Sequence, residues 1–133
     1  MWLLKTEPGE YSYEDLEREG RTRWDGVRNP VALRNLAAMK SGERALVYHT
    51  GAERAVVGLA EVVSAAYPDP RTRNQRQVVV DLEPRGRLAR KVTLSELKQL
   101  PEFADSPLLR QGRLSVVPLT AAQWRAIESR GSR

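Results

Sequence analysis

The sequence predicts an α+β fold: a small, curved, mostly antiparallel β-sheet or barrel surrounded by short helices. Three observations predict it. Short apolar runs of strand-like composition alternate along the whole chain with short segments of helical spacing. Two of those runs, residues 45–49 and 55–63, are separated only by a stretch beginning Thr50-Gly51-Ala52-Glu53, which reads as a hairpin turn. Boxes that start helices stand far apart, at Ser12 with Asp15, Thr93 with Glu96 and Thr120 with Gln123. There is no internal repeat and no low-complexity segment.

Each element follows from local chemistry. Residues 2–7 form a first strand, ended by Pro8-Gly9. The Ser12 box opens a short acidic helix to Glu19, closed by Gly20. Residues 24–29 follow as a loop. Residues 30–40 read as a helix whose stripe is Val31, Leu33, Leu36 and Met39, with Gly42 closing it. Strands are expected at 45–49, 55–63 and 78–82, and Gly58 inside the second marks a bulge or a close backbone approach. Tyr67-Pro68-Asp69-Pro70 and the basic stretch 71–77 form an exposed loop. The Thr93 box opens a helix to Leu100, stopped by Pro101, and residues 103–109 are irregular or a helical turn. Residues 113–117 are a last strand before Pro118, and the Thr120 box caps a C-terminal helix carrying Trp124 and Ile127.

With 133 residues and 41% hydrophobic content, the chain suits one globular domain over residues 1–133. No apolar run reaches the roughly 18 residues of a membrane span. The first residues lack the basic and apolar regions of a secretory signal, so the expected compartment is the cytoplasm. The absence of Cys rules out disulfides, thiol nucleophiles and Cys-based metal sites. One His cannot build a multi-histidine centre, so neither a metal nor a cofactor is expected. The net charge of +5 and pI near 10 favour a polyanionic partner, chiefly nucleic acid, over a membrane. Most of the positive charge is Arg, whose fork matches phosphates and guanine edges, although solvated Arg on an ordinary surface has the same composition. A monomer is expected.

The block Trp24-Asp25-Gly26-Val27-Arg28-Asn29 is the richest in chemistry. Trp24 offers a stacking face in a polar loop, and Asn29 offers paired donor and acceptor groups. Asn29 before Pro30 is also how a helix begins. On the first strand Lys5 and Glu7 share a face, which allows an ion pair beside a pocket, while Thr6 points away. Tyr48, His49 and Thr50 end a buried strand, where pockets open; a lone His is more often a hydrogen-bonded structural residue. Arg113 and Ser115 share a strand face, and Arg71, Arg73 and Arg76 form a basic loop suited to phosphate contact. Trp2 and Trp124 read as core. Walker-type and dinucleotide loops, His-Glu-x-x-His and Gly-x-Ser-x-Gly are absent, so no catalytic residues are assigned.

Taken in order, these pieces resemble the EVE domain, a member of the PUA-like superfamily. The resemblance is carried by Trp2-Leu3-Leu4-Lys5-Thr6-Glu7-Pro8, Tyr11-Ser12, Asp15-Leu16 and the Trp24 to Asn29 block. Tyr48-His49-Thr50, Gly58-Leu59-Ala60-Glu61-Val62, Tyr67-Pro68-Asp69-Pro70, Val80-Asp81 and Arg113-Leu114-Ser115-Val116 continue it across nearly the whole chain. It departs from the family at Thr50, where relatives usually carry Ser, and at Gln77, where many carry Trp.

The resemblance implies a PUA-like barrel with a pocket for a flipped-out modified base, modified cytosine in DNA being the leading class. The pocket residues it implies, together with those read above, are Trp24, Asn29, Lys5, Glu7, Tyr48, His49, Thr50 and Ser115. Arg28, Arg71, Arg73, Arg76 and Arg113 would hold the nucleic-acid backbone. The expected function is thus non-enzymatic recognition of 5-methyl- or 5-hydroxymethylcytosine. The alternatives are an RNA-binding PUA-like module and a small amidohydrolase like those among ASCH domains, acting on N-acylated nucleosides through Lys5, Glu7 and Thr6 or Thr50.

Overall fold

The computed structural model describes residues 1–132. Strand β1 (Trp2–Thr6) runs parallel to β3 (Arg44–His49) on one side and antiparallel to β7 (Val116–Pro118) on the other. Strand β4 (Ala55–Val62) returns antiparallel to β3, and β6 (Val78–Thr93) runs antiparallel to β4. Two short strands, β2 (Thr22–Trp24) and β5 (Tyr67–Pro68), both pair with β6. The sheet order is β2-β6-β4-β3-β1-β7, with β5 off this path. Register shifts between β3 and β4 and between β4 and β6 bend the sheet, as bulges do, and it curls into a half-barrel. One parallel pair among antiparallel neighbours makes it the mixed, mostly antiparallel α+β architecture that the sequence predicts.

Five short helices surround it: α1 (Tyr13–Glu19), α2 (Pro30–Ala37), α3 (Leu94–Gln99), α4 (Pro107–Arg110) and α5 (Ala121–Gly131). The three boxes read from sequence form around Ser12, Thr93 and Thr120, each with both reciprocal hydrogen bonds. Gly20 ends α1 in the left-handed conformation (φ 74°). The main core includes Leu3, Leu4, Leu36, Val80, Phe103, Trp124 and Ile127, all nearly inaccessible to solvent, and Trp2 is buried as expected.

Four segments differ from the sequence expectation. Trp24 ends strand β2, paired opposite Val80, rather than sitting in a loop. The α2 helix stops at Ala37, and beyond it the Lys40 N–H is taken by the Glu43 carboxylate at 2.7 Å instead of a helical carbonyl. Its buried stripe is Ala32 and Leu36, while Val31 is exposed. Strand β6 continues past residue 82 to Thr93, its charged second half held by pairing with β4 and by ion pairs of Arg85 with Glu61 and Arg87 with Glu17. Strand β7 begins only at Val116, so Arg113 and Ser115 lie in the turn before it and share no strand face.

Helix α1 is fixed to the sheet at one tight point. The Tyr13 ring lies across Gly58, so close that a Cβ there would stand 2.5 Å from ring carbons. The Tyr13 hydroxyl donates to the Leu59 carbonyl (2.5 Å) and accepts from the Gly86 N–H (3.0 Å). Gly58 is therefore a close-approach glycine. Gly58→Ala is expected to lower stability by about 1–3 kcal/mol through overpacking, read as a lower urea midpoint. An unchanged midpoint would contradict this contact.

A second fixed point is Glu96 in α3. It receives the Arg90 guanidinium through two bonds (3.0 and 2.8 Å) and caps the helix through the Thr93 N–H (3.2 Å). The Arg90 hydrogen bond first, then the cap, hold its carboxyl at about 2. A carboxyl with a depressed folded value stabilises the fold above its ordinary range and loses that effect as pH falls through about 2. Glu96→Gln should therefore destabilise the chain at neutral pH, and the gap between variant and parent in thermal unfolding should shrink as the pH drops from the ordinary carboxylate range toward 2.

Candidate nucleic-acid interface

The C-terminal end of β1 opens into a cavity of about 570 Å³. Lys5, Thr6 and Glu7 form one wall. Strand β2 and the turn after it, from Thr22 through Trp24 to Arg28, line it as well. Tyr11, just before α1, and Glu19, at its end, close a third side, and Ser115 borders Lys5. Such a volume is within the range of small-ligand sites.

Trp24 is 7% exposed and is part of the core as well as of this wall. The Tyr11 ring meets it edge to face, with centroids 6.0 Å apart at 86°. The Tyr11 hydroxyl donates to Glu19 at 2.5 Å. Burial, then that carboxylate, push the Tyr11 phenol up to about 12, so it remains a donor at neutral pH. The aromatic wall is thus an indole and a phenol braced by a carboxylate.

The lining carries four carboxylates (Glu7, Glu10, Glu19 and Asp25) against three cations (Lys5, Arg23 and Arg28). It is not a phosphate cage. Carboxylates accept from exocyclic amines, while ammonium and guanidinium groups donate to ring nitrogens and carbonyls. Lys5 donates to the Gly112 carbonyl at 3.0 Å and lies 5.7 Å from the Tyr48 ring centroid. Burial pulls its amine below the ordinary lysine value. The Glu7 carboxylate accepts from the Gly9 N–H (3.1 Å) and the Thr50 hydroxyl (3.3 Å). Lys5 and Glu7 thus share the cavity wall, but each has another partner and they form no ion pair. Thr6 also reaches the wall, contrary to the alternation argument, and its hydroxyl donates to the Tyr11 carbonyl at 2.7 Å.

The other candidates separate. Asn29 is exposed outside the cavity; its Oδ1 accepts from Val31 N (2.9 Å) and Ala32 N (3.1 Å), so it caps α2. His49 is 8% exposed and lies outside the cavity. Its Nε2 accepts the Tyr13 N–H (3.0 Å) and its Nδ1 pairs with Glu53 (2.8 Å), which makes it a brace for the start of α1. Tyr48 and Thr50 face a second cavity, of about 430 Å³, on the far side of Lys5. Among the backbone candidates, Arg28 lines the first cavity and Arg71 is tied to Asp25 and Asp69. Arg73, Arg76 and Arg113 are exposed away from both cavities. Gln77 donates to the Val27 carbonyl, so this amide secures the Trp24 block to β6.

Tyr11, Glu10, Glu19 and Arg23 were not predicted as site residues. Tyr11 carried a signal: an aromatic just before a helix cap packs back onto the helix, as it does here against Tyr13 and Leu16. Its second role beside Trp24 depends on how α1 docks.

Known proteins share the sequence and the fold. Thymocyte nuclear protein 1 of Gallus gallus and of Homo sapiens are each 33% identical to this chain over 92% of its length. The chain spans 65% of the chicken protein and 70% of the human one. The solution structure of a Rhodopseudomonas palustris protein superposes with a TM-score of 0.92 at 38% identity, covering 98% of this chain and 91% of that one. The human THYN1 protein, solved in complex with DNA containing 5-methylcytosine, superposes with a TM-score of 0.86 at 31% identity, covering 99% and 97% of the two chains. An ASCH protein of Zymomonas mobilis shares the fold at 13% identity (TM-score 0.63; 96% and 93% covered). The EVE domain family model matches residues 1–130. The chain belongs to the EVE domain family.

Proposed function

We propose that this chain binds nucleic acid by taking one base out of the stack into the cavity beside Trp24, and that a modified cytosine in DNA is its preferred base. The observation that carries the reading is the composition of that cavity. An aromatic pair, Trp24 and Tyr11, stands beside carboxylates and a half-buried amine at the mouth of the sheet. Cytosine presents an exocyclic amine next to a ring nitrogen and a carbonyl. Glu7 or Asp25 can accept from the amine, and Lys5 or Arg28 can donate to the acceptors. The structural likeness to a human protein in complex with 5-methylcytosine DNA supports the choice of base.

Extruding a base costs a few kcal/mol, less where it is unpaired. Stacking returns about 1–3 kcal/mol. One methyl group adds roughly 1–3 kcal/mol of discrimination, so recognition is graded and not absolute. The hydroxyl of Thr50, hydrogen-bonded to Glu7 and near Lys5, keeps hydrolysis of an N-acylated cytidine as a second reading. Release of free cytidine from such a substrate by the parent chain, lost in Lys5→Ala, would favour it over binding alone.

The test is a titration of matched oligonucleotides carrying cytosine or 5-methylcytosine at fixed salt. The methylated strand should bind roughly 5- to 100-fold more tightly. Trp24→Ala should remove most of that preference, with its folding checked by circular dichroism because Trp24 is also core. Arg28→Gln, at an exposed position, should weaken both strands while keeping the preference. Equal affinity for both strands in the parent chain would overturn the reading.

A further inference from the structure

The second cavity differs in kind from the first. Its cations are Lys5, Arg54 and Lys98, and no carboxylate lines it. The first cavity carries more carboxylates than cations. None of these three cations is in an ion pair among the described residues. The nearest carboxylate, Glu7, stands behind Thr50 and Gly51, so the three positive groups leave the concave surface net positive, a charge that an anion would balance.

Arg54 gives an independent observation. Its φ is 44°, the only positive value at a non-glycine residue among those described. It closes the turn between β3 and β4, a place where glycine meets the conformation without steric penalty. Its guanidinium Nε donates to the Gly51 carbonyl at 3.2 Å, which keeps the head group at the cavity. Its carbonyl accepts the Leu94 N–H at 2.8 Å, tying the turn to α3, the helix that carries Lys98. The left-handed backbone thus brings a third cation to a net-positive cavity, a local cost of the kind that collects at functional sites.

Lys5 is the partition. It lines both cavities, and its amine bonds the Gly112 carbonyl on the second side. A group held in one cavity therefore lies one side chain away from a group held in the other.

We propose that the second cavity is a phosphate subsite, in which Arg54, Lys98 and Lys5 hold a phosphate group of the nucleic acid whose base occupies the first cavity. The phosphate chemistry follows from the cations alone. Only its source, a strand backbone, rests on the base-binding reading. The apolar side chains of Leu94, Leu108 and Leu109 in the lining lower the local polarity, which strengthens charge–charge attraction there.

The test uses Arg54→Gly, Lys98→Gln and their combination in the full chain. Arg54→Gly suits the backbone conformation, and Lys98 is exposed, so both variants should fold. In the first arm, inorganic phosphate is titrated and the amide resonances of Gly51, Leu94 and Gly112 are followed. They should shift in the parent chain and not in the double variant. In the second arm, the methylated and unmethylated oligonucleotides are titrated across salt concentrations. The double variant should bind both several-fold more weakly by the same factor, with the salt slope shallower by roughly one. In the third arm, deoxycytidine 5′-monophosphate is compared with deoxycytidine. A loss confined to the monophosphate, with oligonucleotide binding unchanged, assigns the subsite to a free nucleotide and overturns the strand source. A double variant that matches the parent chain in all three arms overturns the phosphate subsite itself. Loss of methyl preference in the parent chain, with the salt slope still shallower in the variant, would defeat the base reading and leave the phosphate subsite standing.

Discussion

The contact of Tyr13 with Gly58 is the constraint on which the site depends. A missing side chain on β4 lets one aromatic ring lie flat against the sheet and brings α1 down with it. Both ends of that helix then reach the cavity, Tyr11 from before its start and Glu19 from its last turn. The hydrogen bond between those two residues ties the cavity wall to the length of the helix. His49 secures the same helix from beneath by accepting the Tyr13 N–H, an orphan donor of the first turn. A histidine that the sequence offered as a pocket residue thus works on the geometry of the site from behind its wall.

Strand β1 supplies the other half of the arrangement. It is hydrogen-bonded on both sides, to β3 along its length and to β7 over Trp2–Leu4. Where β7 ends its pairing at Val116, β1 continues with a last bond from the Lys5 N–H to the Ser115 carbonyl. Beyond that point the sheet opens, and Lys5 and Glu7 are delivered at its rim. One strand end therefore carries the side chain that divides a carboxylate-rich cavity from a cationic one. A nucleotide has the matching division, a neutral heterocycle joined to an anionic phosphate.

What the sequence revealed and what it hid follow physical range. The caps at Ser12, Thr93 and Thr120 were legible because each joins residues three apart. Gly58 was legible because glycine inside an apolar strand has few other reasons to be there. The second half of β6 was hidden because Arg85, Arg87 and Arg90 break the apolar alternation. That segment is a strand because β4 pairs with it and Glu61 and Glu17 neutralise its arginines. Asn29 was ambiguous from the start, and its role as a helix cap won over a ligand role. Tyr11, Glu19 and Arg54 could not be assigned to a site locally, since their placement comes from how α1 and α3 meet the sheet.

The most direct measurement is a structure of this chain bound to a short DNA duplex with a single 5-methylcytosine. The account predicts that nucleotide turned out of the helix, its ring between the Trp24 and Tyr11 wall and the end of β1. A complex in which the methylated base stays paired and stacked, with the cavity empty and DNA lying on another face, would contradict it.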